Sequence, residues 1–245
     1  MSKAKNDTRE FHFKPFSLFH HRSIMKTGTD AILLGVWANI SHVKSVLDIG
    51  SGCGIISLLI ASRTKAKIIG IELDSESVDE SRSNFLNSPF KERMEVVEDN
   101  FVNYMDSTDD RYDLIVSNPP FFTNDLMSPD KRKTQARHTT QLSFDKLCTG
   151  VSKLLNPNGR FCVVIPYTQY DEFCSSAERS NLYVSGIQII FSKRGLQPNR
   201  INIEFRKFKT NEIVKDFFII REENNNFTDH YINSLEDFYL SIPEK

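Results

Sequence analysis

The sequence predicts an α/β fold: a mostly parallel, seven-stranded sheet with helices on both faces and an antiparallel hairpin at one edge. Three observations point there. From Ser45 onward strand and helix patterns alternate, and that alternation implies parallel strands joined by crossover helices. The strand candidates are apolar runs, as burial on both faces demands. The last strands follow one another with little helix between them, which is possible only for antiparallel neighbours.

Each element has its own reason. Ser45–Ile49, Lys67–Ile71, Met94–Val97, Tyr112–Val116 and Arg160–Ile165 are short apolar strands. Ile55–Arg63 is a helix with Ile56, Leu59 and Ile60 on one face. Ser75–Leu86 is a helix capped by Asp74 or Ser75. Phe144–Leu155 is a helix closed by the turn Asn156-Pro157-Asn158-Gly159, and Tyr170–Arg179 is another. Val184–Phe191 and Ile201–Phe205 are the closing strands, the second continued by Asp216–Ile220. Ala31–Ala38 is a helix with Thr29 or Asp30 as cap and Trp37 on its buried side. Thr228–Leu240 is a final helix with Tyr231, Leu235, Phe238 and Tyr239 inward. The segment 123–141 lacks either periodicity.

Composition narrows the class. The 245 residues carry 31 Lys+Arg against 32 Asp+Glu, a net charge of −1. That excludes a chain dominated by a charged tail and leaves a local basic patch open. No apolar run reaches the ~18 residues of a membrane span, and the opening MSKAKNDTRE has no secretory core. Cys53, Cys148, Cys162 and Cys174 form no C-x-x-C pair, so a metal site is not expected. Reduced thiols in the cytoplasm are. One domain spanning 1–245 is expected, with 1–40 as an N-terminal extension that helps close a ligand pocket, and a monomer as its state.

The first strand ends in Asp48-Ile49-Gly50-Ser51-Gly52-Cys53-Gly54 and opens a helix. Glycine permits the φ values of so tight a turn and lets a ligand approach the backbone. Open parallel sheets bind ligands beyond the carboxyl ends of their strands. Glu72 ends the second strand about twenty residues past Gly50, where an acid can hold a ribose. The third strand ends in Glu98-Asp99-Asn100. A dinucleotide fingerprint is one reading, but its third glycine position is Ile55, and Asp48 would repel a pyrophosphate. A cationic amino-acid cofactor meets no such repulsion. The spacing therefore resembles motif I of class I S-adenosylmethionine-dependent methyltransferases. An ordinary strand-to-helix turn explains the glycines alone, but not acids at three successive strand ends.

The fourth strand runs into Ser117-Asn118-Pro119-Pro120-Phe121. The prolines fix two φ angles and remove two donors. Asn118 adds an acceptor oxygen and Phe121 a flat apolar face. Together they suit a planar substrate bearing an NH2 group. Asn-Pro-Pro-Phe resembles motif IV of amino-methyltransferases, which act on adenine in DNA or RNA, guanine in ribosomal RNA, or glutamine in release factors.

Further segments decide among these: Phe11-His12-Phe13-Lys14, His21-Arg22, Met25-Lys26-Thr27-Gly28-Thr29-Asp30, Gln135-Ala136-Arg137-His138-Thr139-Thr140 and Asp237-Phe238-Tyr239-Leu240. In this order they resemble the bacterial tRNA(Val) (adenine-N6)-methyltransferase family from about Phe11 to Leu240. The resemblance implies a Rossmann-like class I methyltransferase fold, S-adenosylmethionine as cofactor and tRNA as partner. It places Asp48, Gly50, Gly52, Glu72, Asp99 and Asn118 at the cofactor, with Ser51, Gly54 and Asn100 beside them. Asn118, Pro119, Pro120 and Phe121 take the target base, and Lys26 to Asp30, Thr29 included, close over the methionine end.

Lys131, Arg132, Lys133 and Arg137 follow the base-binding motif and are placed to grip phosphates, although charge runs are usually solvated. His138 is an RNA or structural contact. Lys193, Arg194 and Arg200 flank a Gly-Leu-Gln-Pro turn and extend that surface. Alternatives remain: a release-factor glutamine methyltransferase, an rRNA guanine amino-methyltransferase, or a non-catalytic RNA-binding protein on the same fold. The first would carry a large N-terminal helical domain, for which residues 1–40 leave no room. The last is disfavoured by an intact Asn-Pro-Pro-Phe.

Overall fold

The computed structural model describes residues 10–20, 28–119 and 142–240. The chain opens with a hairpin of β1 (Glu10–His12) and β2 (Ser17–Phe19). Then come α1 (Thr29–Trp37), β3 (Ser45–Ile49), α2 (Ile55–Arg63), β4 (Lys67–Glu72), α3 (Ser75–Asn87), β5 (Met94–Glu98), α4 (Phe101–Ser107) and β6 (Tyr112–Ser117). The last described stretch holds α5 (Phe144–Leu154), β7 (Leu155–Pro166), α6 (Tyr170–Arg179), β8 (Tyr183–Phe191), β9 (Arg200–Arg206), β10 (Val214–Ile219) and α7 (Asp229–Leu235).

The main sheet has eight strands in the order β10-β8-β9-β7-β6-β3-β4-β5. β3 to β7 run parallel, while β9 is antiparallel to both β7 and β8. The sequence reading of seven strands misses one, because it runs 201–205 on into 216–220. With both edges of β9 taken by β7 and β8, the later segment can pair only at the free edge of β8, where β10 lies parallel. The Asn156–Gly159 turn also differs. It is absorbed into β7 as an irregularity, since Tyr112 pairs with Leu155 but Leu114 with Arg160.

Two cores follow from the alternation of side chains along these strands. Val46, Leu114, Val116, Cys162 and Val164 face α1, α2, α3 and α7. Leu47, Ile49, Ile115, Phe161, Val163 and Ile165 face α4, α5 and α6. Helix α2 is buried from Ile55 through Ala61, not on one face alone.

Several ends depart from the sequence reading. Helix α1 is capped by Gly28, with no side-chain cap bond, while Asp30 sits in its first turn. Trp37 is only half-buried. Helix α4 and the β1–β2 hairpin carry no sequence signal strong enough to be foreseen; α4 is short and capped by Asn100, whose side chain accepts from the Val102 amide. Helix α7 stops at Leu235, yet Phe238 stays buried and Tyr239 stacks on Phe13 at 5.7 Å. The Asp74 cap of α3 is as expected, accepting from Ser77 N at 2.9 Å.

Among the described residues no helix is long and apolar enough to cross a membrane. None of the four cysteines forms a disulfide among the described residues, and burial pushes Cys148 up to about 12 and Cys174 up to about 11. Neither is a ready nucleophile.

Candidate functional site

At the carboxyl edge of the sheet the strand order β6-β3-β4-β5 puts four loops side by side. Ser117 pairs with Ile49, so Asn118 and Gly50 leave the sheet as neighbours. Ser117 Oγ donates to the Ile49 carbonyl at 2.9 Å and ties these two exits together. Glu72 pairs with Glu98, and the Asp99 amide donates to the Glu72 carbonyl at 3.0 Å. Residues scattered over 70 positions of sequence thus form one rim because parallel strands all end on the same side.

The glycine turn holds its shape through its own backbone. Gly50 and Ser51 amides donate to the Ile71 carbonyl at 2.8 and 3.1 Å. Gly50, Gly52 and Gly54 have φ of +72°, +54° and +85°, a region closed to most side chains. A Cβ on Gly50 or Gly52 would meet no atom of the described residues within 4 Å, so among these both face open space. On Gly54 it would lie 2.5 Å from the Phe85 ring and 2.8 Å from Ser81 Oγ. The first two glycines therefore leave room for a ligand, and the third lets α3 pack against the turn.

Glu72 is half-buried and its carboxylate organises the rim. Oε2 accepts from Gly52 N at 2.9 Å, and Oε1 from Leu73 N at 2.8 Å and Asp74 N at 3.0 Å. Asp99 Oδ1 accepts from its neighbour's amide, Asn100 N, at 2.7 Å.

Asp48 is placed differently from the sequence reading. It has no exposed surface. Its Oδ2 accepts from Ser57 N at 3.2 Å and Ser57 Oγ at 2.7 Å, while Oδ1 has no partner among the described residues. Burial pushes its carboxyl up to about 7, against the hydrogen bonds from Ser57 that hold it down. Asp48 braces the turn from beneath. The expected repulsion of a pyrophosphate is weakened too, because a carboxyl titrating near 7 is not fully charged at neutral pH.

Asn118 is half-buried and Pro119 buried. Asn118 Oδ1 is buried with no hydrogen-bond partner among the described residues, a costly state for a polar atom unless a ligand donates to it. Lys26, Pro120, Phe121, Lys131, Arg132, Lys133, Arg137 and His138 lie outside the described residues. Arg194 and Arg200 do not stand ready for phosphate. Arg194 donates to both oxygens of Glu222 at 2.5 and 3.0 Å, and Arg200 Nε to Asp30 Oδ2 at 2.8 Å.

One residue of the rim escapes sequence reasoning. Asn84 of α3 is 1% exposed. Its Oδ1 accepts from Phe19 N at 2.9 Å, and its Nδ2 donates to the Phe19 and Cys53 carbonyls, each at 2.8 Å. It staples the end of β2 to the glycine turn. A polar residue on the inner face of a mid-chain helix was the only available signal.

The comparisons agree with this geometry. A family model described as Methyltransferase small domain matches residues 17–176. The tRNA1(Val) (adenine(37)-N6)-methyltransferase of Phocaeicola vulgatus is 38% identical over 232 residues, covering 95% of this chain and 98% of that one. The chain belongs to the tRNA1(Val) (adenine(37)-N6)-methyltransferase family. Family members in Bacteroides fragilis and Pectobacterium carotovorum are 37% and 35% identical, over 95% and 94% of this chain and 98% and 93% of their own. Solved structures show the same fold at lower identity. A protein of Agrobacterium tumefaciens described as a predicted O-methyltransferase gives a TM-score of 0.65 at 18% identity, covering 85% of this chain and 96% of its own. TrmN of Thermus thermophilus gives 0.53 at 17% identity, covering 73% and 48%.

Proposed function

We propose that the protein transfers a methyl group from S-adenosylmethionine to the N6 amino group of an adenine in tRNA, adenine 37 of a valine tRNA. The observation that carries the chemistry is the orphaned Asn118 Oδ1, buried beside the open face of Gly50 at the sheet edge. The choice of tRNA is supported by relatives alike over nearly the full chain.

The residues present fit the cofactor. Gly50 and Gly52 leave open space above the turn, and Glu72, with its carboxylate already aligned by three amides, takes the ribose hydroxyls. In this reading Asp99 and Asn100 take the adenine end, and by the family resemblance Lys26 and Thr29 close over the methionine end. When bound, S-adenosylmethionine supplies an electrophilic methyl on a positively charged sulfur. The rest is the work of this chain.

An aromatic amine is a poor nucleophile, because its lone pair is delocalised into the ring. Asn118 Oδ1 and the Pro119 carbonyl accept its two hydrogens. That holds the nitrogen pyramidal and aims the lone pair out of the ring plane. Such bonds accelerate the step insofar as they tighten toward the transition state. Pro119 and Pro120 stiffen the acceptors. Phe121 stacks on the base, which must leave its own stack to reach the site. Fixed orientation supplies the remaining advantage.

The test is transfer of a tritiated methyl to fractionated tRNA, followed by nucleoside analysis. Label recovered as N6-methyladenosine in valine tRNA is the expected result. Label in guanosine, or in protein alone, defeats the reading.

A further inference from the structure

The pairing of Arg194 with Glu222 and of Arg200 with Asp30 removes two cations expected to face the substrate. What that edge offers instead is an aromatic ring. Building on the tRNA reading above, we propose that Tyr167 is a stacking platform for a nucleotide flanking the target adenine, with Leu196 as its apolar flank.

Register puts the ring next to the chemistry. β6 and β7 are adjacent and parallel, with Ser117 opposite Val163. Asn118 leaves β6 one residue past that pair. Tyr167 follows Pro166, the end of β7, about 10 Å farther along the strand direction. Along β7 itself Phe161, Val163 and Ile165 are fully buried, whereas Tyr167 is 38% exposed. Tyr167 lies just past the strand, in the turn Tyr167–Gln169, and its ring is left partly exposed at the rim.

The platform is braced. The Tyr167 amide donates to the Asn199 carbonyl at 3.2 Å, which joins it to the β8–β9 connection. That connection is held by Asn199 N to Ile190 O at 3.0 Å and Arg194 N to Arg221 O at 2.8 Å. Gly195, at φ +81°, turns the chain so that Leu196 stands 54% exposed beside Lys193. Aromatic faces for the bases beside cations for the backbone are how proteins hold single-stranded nucleic acid, and Leu196 adds apolar surface.

The reaction creates the need. Taking the target base out of its stack leaves a neighbouring base with one face unpaired. Every base has such a face, so a ring that receives it stabilises the flipped loop whatever the sequence. This explains how a chain of net charge −1 can hold an RNA loop on an edge whose arginines are committed elsewhere.

Steady-state kinetics on a valine tRNA transcript at saturating S-adenosylmethionine test the assignment, with wild type, Tyr167→Ala, Tyr167→Phe and Leu196→Ala. Tyr167→Ala should raise KM for tRNA about 5- to 150-fold, the worth of one base–aromatic stack. Its kcat, its affinity for S-adenosylhomocysteine and its melting temperature should match wild type. Tyr167→Phe should keep the wild-type KM, since stacking needs the ring and not the hydroxyl, and Leu196→Ala should fall between. An unchanged KM in Tyr167→Ala overturns the platform, as does a fall confined to kcat or a Tyr167→Phe enzyme as impaired as the alanine one. A wild-type protein that methylates no tRNA overturns the functional reading and this one with it. An active wild type with an indifferent Tyr167→Ala overturns the platform alone.

Discussion

Glu72 and Asn118 show how single side chains do different work at one rim. Glu72 already binds three backbone amides at 2.8 to 3.0 Å, so it shapes the turn, and in the proposed site its remaining lone pairs are for the ribose. Glu72→Ala should weaken S-adenosylhomocysteine binding by ~1.5–3 kcal/mol, the range for hydrogen bonds to a charged group. Glu72→Gln, which keeps one acceptor oxygen, should lose less. Calorimetry reads both, and equal affinity in Glu72→Ala would remove it from the cofactor site. Asn118 makes no bond through Oδ1 among the described residues, so its alanine variant should fold normally. It should lower kcat by ~10²–10³, as loss of one preorganised group does. Binding of tRNA should change little, because phosphate contacts carry most of it. Single-turnover rates at saturating cofactor separate the two, and a full-rate Asn118→Ala enzyme would end the proposed chemistry.

The glycine turn is an element with two kinds of glycine, and alanine tells them apart. Gly54→Ala pushes a methyl to within 2.5 Å of the ring of Phe85, a side chain of α3 buried in the core. Neither ring nor turn can yield cheaply, so this variant should be markedly destabilised, by more than the ~1 kcal/mol of left-handed strain alone. Gly50→Ala carries the same strain but meets none of the described residues. It should remain folded with a modest loss, and should lose cofactor binding because its methyl occupies the ligand's space. Thermal melts paired with S-adenosylhomocysteine titrations read the contrast; equal stability losses at both positions would contradict it. The β1–β2 hairpin belongs to the same scale. Asn84 holds its end to the turn, while Lys14 N donates to the Phe238 carbonyl at 2.7 Å and Phe13 stacks on Tyr239. The β1–β2 hairpin, the glycine turn and the segment that follows α7 are thereby coupled.

For the molecule as a whole, Asp48 gives stability a pH dependence. In the unfolded chain its carboxyl titrates near 3.8, and in the folded protein at about 7. Between those values the folded state holds the extra proton, so stability falls as pH rises. Below about 4 both states are protonated and the cost vanishes; above about 7 it is complete, on the order of 4 kcal/mol. Asp48→Asn removes the titration. Denaturant unfolding should show the variant gaining on wild type as pH rises through this window, with the difference level above it. A difference that stays flat across the window would mean that Asp48 is not buried as its surroundings indicate. Association with RNA is also a property of the whole surface. Replacing Lys131, Arg132 and Lys133 with alanine should weaken tRNA binding and flatten its salt dependence, since fewer counterions are released. Filter binding across salt concentrations checks this, and an unchanged slope would make that segment merely solvated.

Local patterns made much of this legible. Asp48 to Gly54, Glu72, Asp99 and Asn118 sit at strand ends, and apolar runs of four to six residues mark the strands that deliver them. A tight turn needs glycine, a stiff acceptor loop needs proline, and a doubly covered strand needs apolar side chains; each demand is met within a few residues and is written in the sequence. Tertiary structure decided whatever depends on distant partners. β10 lies beside β8 because the edges of β9 are filled. Asp48 turns inward because Ser57, at the start of the next helix, receives it. Arg194 and Arg200 meet Glu222 and Asp30, the second pair 170 positions apart, and cease to be available cations. Asn84 is a staple only once β2 and Cys53 reach it. Side-chain chemistry is local, but burial and pairing are set by neighbours that only the folded chain brings near.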